Sequence, residues 1–171
     1  MDIDAVSQIV DEARDAGTVS VANHNAGTQI VITGAPSAVK KAAGLASSRG
    51  ARAVALRVSG AWHSELIRGA QPDFEDFLGT VSFLPPRYPV VFNVTAKEEA
   101  APQAIRALMT RQICSPVRWF DTMSRLSAYG VDTFMEVGPG KVLTGLTKKN
   151  LPEGYSGRLL AVGDLKGLEA F

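Results

Sequence analysis

Only two histidines occur in this chain, and His63 is the one placed to do chemistry. It lies in Val58-Ser59-Gly60-Ala61-Trp62-His63-Ser64, between an apolar run over 51–58 and an amphipathic segment that begins at Ser64. Imidazole titrates nearer neutrality than any other side chain, which suits it to general acid–base work. A junction between a strand and a helix can present such a group to a cleft while the flanking elements hold it still. The plainer alternative is a surface or capping histidine on a loop. Gly138-Pro139-Gly140-Lys141 sets a lysine after glycines, as phosphate loops do. Its glycines are too close together, and Val142 stands where such a loop needs Ser or Thr. Pro139 and Gly140 suit the two central positions of a type II turn, so the stretch reads as a strand-to-helix turn. The helix behind it could still face an anion. Cys114 is the single cysteine, which excludes an internal disulfide and a cysteine-based zinc site.

The elements that must position these residues follow from hydrophobic spacing. Ile3, Val6, Ile9, Val10 and Ala13 predict a helix over 3–16 that stops at Gly17. Thr18 to Ala22 reads as a strand, Asn23 to Gly27 as a turn, and Gln29 to Thr33 as a second strand. Pro36 opens a helix with Val39, Ala42, Ala43 and Ala46 on its apolar face, closed by Gly50. Ala51 to Val58 predicts a third strand. Helix, strand, strand, helix, strand is a ferredoxin-like unit without its first strand. A sheet lacking that strand would carry an unpaired edge.

Beyond His63 the pattern changes. Ser64 to Leu78 is helical in spacing, disturbed at Pro72, and Pro85-Pro86-Arg87-Tyr88-Pro89 is a stiff linker. Val90 to Val94 reads as a short buried strand and Pro102 to Ile113 as a helix. A further helix starts at Pro116, turns Val117, Phe120, Met123, Leu126 and Ser127 inward, and ends at Gly130. Asp132 to Val137 is a strand, and Lys141 to Lys149 is a helix with Lys148 and Lys149 at its negative end. The tail from Pro152 is weakly patterned, with a last strand at Leu159 to Val162. Alternating strands and helices imply an α/β layer with a mostly parallel sheet. The net charge of +1 leaves no basic footprint for nucleic acid or a membrane surface. Met1-Asp2-Ile3-Asp4 is not the start of a signal peptide, and no apolar run is long enough to span a membrane.

Several segments in order resemble one family. Val21 to Gly34, with Asn23-His24-Asn25, is similar to the Asn-x-Asn strand-turn-strand of malonyl-CoA:acyl carrier protein transacylases. Ser59-Gly60-Ala61-Trp62-His63-Ser64 resembles their catalytic-histidine loop. Gln112-x-x-Ser115-Pro116-Val117-Arg118-Trp119 and Glu136 to Leu146 are similar to two later signatures. The resemblance spans residues 18–150. It implies an α/β fold with two parts. Residues 1–58 would be the incomplete ferredoxin-like subdomain, and 59–171 the C-terminal part of an α/β-hydrolase-like acyltransferase core.

The resemblance also implies a function. A serine takes malonyl from coenzyme A and passes it to the phosphopantetheine thiol of acyl carrier protein, in fatty-acid biosynthesis. His63 would be the base and acid, oriented by the backbone carbonyl of Gln112. Asn23 and Asn25 would line the substrate cleft, although an asparagine-stabilised turn explains them equally well. Trp62 stands where the family often has Phe or Ser, and its bulk would favour malonyl over a branched acyl unit. Arg52 corresponds to a basic position near the carrier entrance. No cofactor or metal is implied. Malonyl-CoA is the substrate, acyl carrier protein the partner, and the cytoplasm the expected setting, with no nucleic-acid or membrane partner.

The family's Gly-x-Ser-x-Gly nucleophile elbow is absent from this sequence. Gly154-Tyr155-Ser156-Gly157 is one residue short and misplaced. The chain therefore reads as the C-terminal part of a longer enzyme, a fragment or one half of a split gene, which carries the base without the nucleophile and is inactive alone. The alternative is a non-catalytic scaffold that keeps a surface for a carrier protein or coenzyme A. A third idea makes Cys114 the nucleophile, but nothing near it in sequence would lower its pKa.

Overall fold

Asp2 begins the first helix. Its carboxylate accepts the Ala5 N–H at 2.9 Å, capping α1 (Ile3–Ala13). A short 3₁₀ turn, Arg14–Ala16, runs to Gly17 at φ 133°. The chain then forms an antiparallel hairpin, β1 (Val19–Ala26) and β2 (Gln29–Gly34), followed by α2 (Pro36–Ser48). The computed structural model describes residues 1–169. Ile9, Val10, Ala13, Val19, Ala38 and Ala42 close the core of this first layer. Ala13, Ala38 and Ala42 have no exposed surface, so the two helices meet through methyl groups. Each large aliphatic side chain buried here contributes about 1.5–3 kcal/mol. The ion pairs at its rim, Lys41–Asp15 and Arg49–Glu12, are both solvated and add little.

Two sequence expectations in this layer are overturned. Asn23 to Ala26 continue the strand, and only Gly27 and Thr28 form the turn. The cause lies on the far side of β1. Val117 donates its N–H to Ala22 O at 2.8 Å and accepts the His24 N–H at 2.9 Å. That bridge, with irregularities in the hairpin register on either side of Asn23 and His24, keeps the segment extended. Ala51 to Val58 is no strand. No strand of the chain lies beside it among the described residues, and Val54, Leu56 and Val58 are more than half exposed. The helix–strand–strand–helix portion of the expected unit is formed, but its closing strand is not.

After the histidine loop, a 3₁₀ turn (Glu65–Ala70) leads into α3 (Gln71–Gly79). Pro72 sits in the first turn of α3, where its missing N–H costs nothing, so it starts the helix instead of disturbing it. The expected strand at 90–94 is shorter than its apolar run. β3 (Val91–Phe92) pairs with β4 (Lys97–Glu98) in a small hairpin. α4 (Pro102–Gln112) matches its expected span. Pro116 does not open a helix, because Val117 is bridged to β1, and α5 (Trp119–Ala128) begins only after Arg118.

β5 (Thr133–Val137) and β6 (Arg158–Val162) are parallel neighbours, joined through α6 (Val142–Asn150). A short helix, α7 (Leu165–Glu169), follows in the tail, where the sequence carried no clear pattern. The described residues thus hold three two-stranded sheets, of which only the last is parallel. Glu136 caps α6 from the preceding strand. Its carboxylate accepts Leu143 N–H at 3.0 Å, Thr144 N–H at 2.6 Å and the Thr144 hydroxyl at 2.6 Å. The Thr144 hydroxyl, and after it the helix amides, hold the Glu136 carboxyl below the usual range. Met123 is fully buried, with the Thr147 hydroxyl 3.8 Å from its sulfur, which packs α5 against α6.

Glu98 ties the hairpin to α5. Arg125 Nε donates to it at 2.9 Å, and this bond, followed by one from Tyr129, holds its carboxyl at about 2. A depressed folded-state pKa stabilises above the unfolded value and is lost as pH falls through the folded one. Glu98→Gln should therefore lower the urea midpoint at neutral pH, and the gap to wild type should close as pH falls from the ordinary carboxylate range towards about 2. A gap that does not change with pH would dismiss the ion pair as its cause. Gly34 gives a second test. At φ 152° it lies so close to Thr18 that an added Cβ would stand 2.2 Å from the Thr18 carbonyl oxygen. Gly34→Ala should cost about 3 kcal/mol in equilibrium unfolding, and a loss below about 1 kcal/mol would show that the hairpin yields there.

Candidate active site

The histidine loop is a tight turn with one unusual residue. His63 lies at φ 62°, in the left-handed region that non-glycine residues enter only at a cost of about 1–3 kcal/mol. The turn aims the imidazole at the end of α4. His63 Nδ1 is 3.1 Å from the backbone carbonyl oxygen of Gln112. A carbonyl only accepts, so Nδ1 carries the proton and Nε2 holds the free lone pair of a base. The Gln112 side-chain amide also comes within 3.5 Å of Nδ1. That contact pairs a donor with a donor, and the amide instead donates to Ser115 O at 3.2 Å. Among the described residues Nε2 has no hydrogen-bond partner, and the ring is half-buried.

The placing of Gln112 matters electrostatically. It is the last residue of α4, where unsatisfied carbonyls gather the negative end of the helix dipole. A cation forming on His63 would face that end, an effect worth about 0.3–1 kcal/mol. Gln71 fastens the two sides, its amide donating to Thr110 O at 3.1 Å and so joining α3 to α4. The loop and its acceptor are thus held by adjacent helices far apart in sequence.

The other candidate residues fall at different distances from this pair. Trp62 precedes His63 and is 55% exposed, its indole folded back over Gly60, where an added Cβ would meet the ring at 3.2 Å. Asn23 and Asn25 lie on β1, and neither side chain has a hydrogen-bond partner among the described residues. The backbone of Asn25 accepts from the Asn150 side chain at 2.8 Å. Asn23 reaches His63 only indirectly, through the bridge to Val117 and the segment that continues from Gln112. Arg52 is exposed on the unpaired 51–58 stretch, and no hydrogen bond or ion pair links it to His63 or Gln112.

Cys114 does not fit a nucleophile's role. Burial, and then the nearby Glu65 carboxylate, push its thiol up, against a weaker opposite pull from Arg68. Among the described residues no three His, Cys, Asp or Glu side chains are grouped as metal ligands would be. A cavity of about 560 Å³ is lined by residues including Ser127, Asp132, Tyr155 and Arg158, and by none of the candidates. Sequence reasoning missed Ser64, which proves to be 1% exposed. Its hydroxyl donates to Ala61 O at 2.7 Å and accepts from Leu66 N–H at 3.3 Å. A serine just before Glu65 signals a helix cap, but nothing in the sequence marks it as buried.

Comparison with known proteins places the chain in a family. A family model described as an acyl transferase domain matches residues 2–165. The malonyl CoA-acyl carrier protein transacylase of Bacillus subtilis is 40% identical over 151 residues, covering 87% of this chain and 48% of that protein. The crystal structure of an acyl-carrier-protein-S-malonyltransferase from Bartonella henselae superposes with a TM-score of 0.92 at 38% identity, covering 99% of this chain and 54% of the other. A malonyl-transacylase in complex with a type II polyketide synthase acyl-carrier protein gives a TM-score of 0.91 at 35% identity, covering 99% of this chain and 54% of that one. The chain spans about half the length of the relatives it matches. It belongs to the acyl transferase domain family that includes the malonyl CoA-acyl carrier protein transacylases of fatty-acid and polyketide synthesis.

Proposed function

We propose that this chain supplies the histidine-bearing half of a malonyl-CoA:acyl carrier protein transacylase site. The contact between His63 Nδ1 and the Gln112 carbonyl carries the reading, because it leaves Nε2 as a base. The nucleophilic serine comes from a portion of the protein outside this chain. In the first half-reaction Nε2 takes the serine proton as the hydroxyl oxygen attacks the thioester carbonyl. Collapse of the tetrahedral intermediate breaks the C–S bond, and the imidazolium returns the proton to the coenzyme A thiolate. In the second, Nε2 takes the proton of the carrier's phosphopantetheine thiol, the sulfur attacks the malonyl-serine ester, and the serine oxygen leaves with that proton. Gln112 holds the ring in one tautomer through both cycles and faces the imidazolium with the negative end of α4.

The remaining candidates take supporting roles. Asn23 and Asn25 offer unpaired amides to the acyl or pantetheine portion. Arg52, exposed and cationic, meets the carrier protein or coenzyme A near the cleft entrance. The exposed apolar stretch over 51–58 is where the other half of the enzyme adds its strand, completing a ferredoxin-like subdomain over 1–58 beside the core over 59–171.

Malonyl transfer to acyl carrier protein should appear when the chain is mixed with an N-terminal half of the family and be absent from the chain alone. In that mixture His63→Ala should lower kcat about 10³-fold. Gln112→Ala keeps the carbonyl and should cost less than about tenfold. Transfer by the chain alone would overturn the division of labour. Inactivity of a mixture shown to assemble would favour a carrier-binding scaffold instead. A separate test concerns the acyl unit. Trp62→Ser in the assembled enzyme should raise the methylmalonyl-to-malonyl ratio of kcat/KM by about tenfold or more, and an unchanged ratio would remove Trp62 from the pocket wall.

A further inference from the structure

We infer that Ser64 is a positioning residue for His63, a role that rests on reading His63 as the base. Cap serines are ordinarily solvated, but this one is 1% exposed. Its hydroxyl is engaged on both sides of the histidine. It donates backward to Ala61 O at 2.7 Å and accepts forward from Leu66 N–H at 3.3 Å. One oxygen therefore closes the chain around Trp62 and His63 and starts the 3₁₀ turn that follows. His63 at φ 62° is the residue that this closure must bend. Left to local preference, a histidine there would relax to negative φ, and the ring would swing away from Gln112.

The neighbouring contacts cannot supply the same hold. The hydrogen bond to Gln112 fixes one ring nitrogen and leaves the backbone free to turn. The Trp62 indole packs on Gly60 but is more than half exposed, so it can move. Among the described residues, the Ser64 hydroxyl is the buried side-chain group that joins the main chain before His63 to the main chain after it, reinforcing the turn at Trp62 and His63. Removing it leaves the Ala61 carbonyl without that partner and frees the turn.

The test uses the chain itself. With two histidines to assign, ring-nitrogen NMR can read the His63 tautomer directly, with His63→Ala identifying its signals. In the wild type, Nδ1 should carry the proton. In Ser64→Ala that preference should be lost to a mixture of tautomers, with the His24 signals unmoved. A folded Ser64→Ala that keeps the wild-type His63 pattern would overturn the proposal. If Ser64→Ala does not fold, Ser64→Cys decides on the same readout. The thiol is a weak donor, so the tautomer preference should again be lost, and its full retention would overturn the proposal. In the assembled enzyme, Ser64→Ala should lower kcat about 10²-fold with KM unchanged. A fixed tautomer in an assembled but inactive wild-type enzyme would count against the transferase reading and leave the role of Ser64 standing.

Discussion

The bridge between β1 and Val117 is the contact on which the rest of the arrangement depends. Two backbone hydrogen bonds, Val117 N–H to Ala22 O and His24 N–H to Val117 O, join the first layer to the segment between α4 and α5. That segment follows directly from Gln112, so the same bridge sets where the end of α4 lies relative to β1. It also explains local departures from propensity. Asn23 and Asn25 remain in a strand, and Pro116 and Val117 are drawn out of the helix their neighbours favour. The ladder bonds outweigh the modest preference of Asn for turns and of the 116–128 run for helix.

Around that bridge the molecule is built in unequal parts. The first layer has a closed core in which alanines let α1 and α2 approach. The later elements depend on polar fasteners. Glu136 caps α6, Glu98 holds Arg125, and Gln71 ties α3 to α4. Such fasteners, each part-buried, fix geometry as well as adding stability. His63 is held among them with its ring set by the end of α4 while it stays half-buried.

Much of this was legible in the sequence where a local signal decided the outcome. α1, α2, α4, β5 and α6 fall close to their expected spans because a local signal decided each one: the glycine stop after α1, the proline starts of α2 and α4, and the apolar spacing of β5 and α6. His63 stood out by residue type and by its place at a junction. The Gln112 role could not be read from spacing, because a backbone carbonyl has no residue signature, and only family resemblance pointed to it. The run 51–58 has a strand's composition, but a strand needs a neighbour, and none lies beside it here. Ser64 was invisible for a related reason, since burial of a small polar residue is decided by what folds over it.

The main-chain character of the Gln112 acceptor has an evolutionary side. A carbonyl has no codon, so single-base changes at position 112 can alter the side chain while leaving the acceptor where it is. Insertion or deletion of one residue within α4 is different, because each residue turns the helix by about 100° and would carry the terminal carbonyl away from the ring. Selection on this part of the site should therefore act on the length of α4 and on where it ends, and on the letter at its last position only through the amide that donates to Ser115 O.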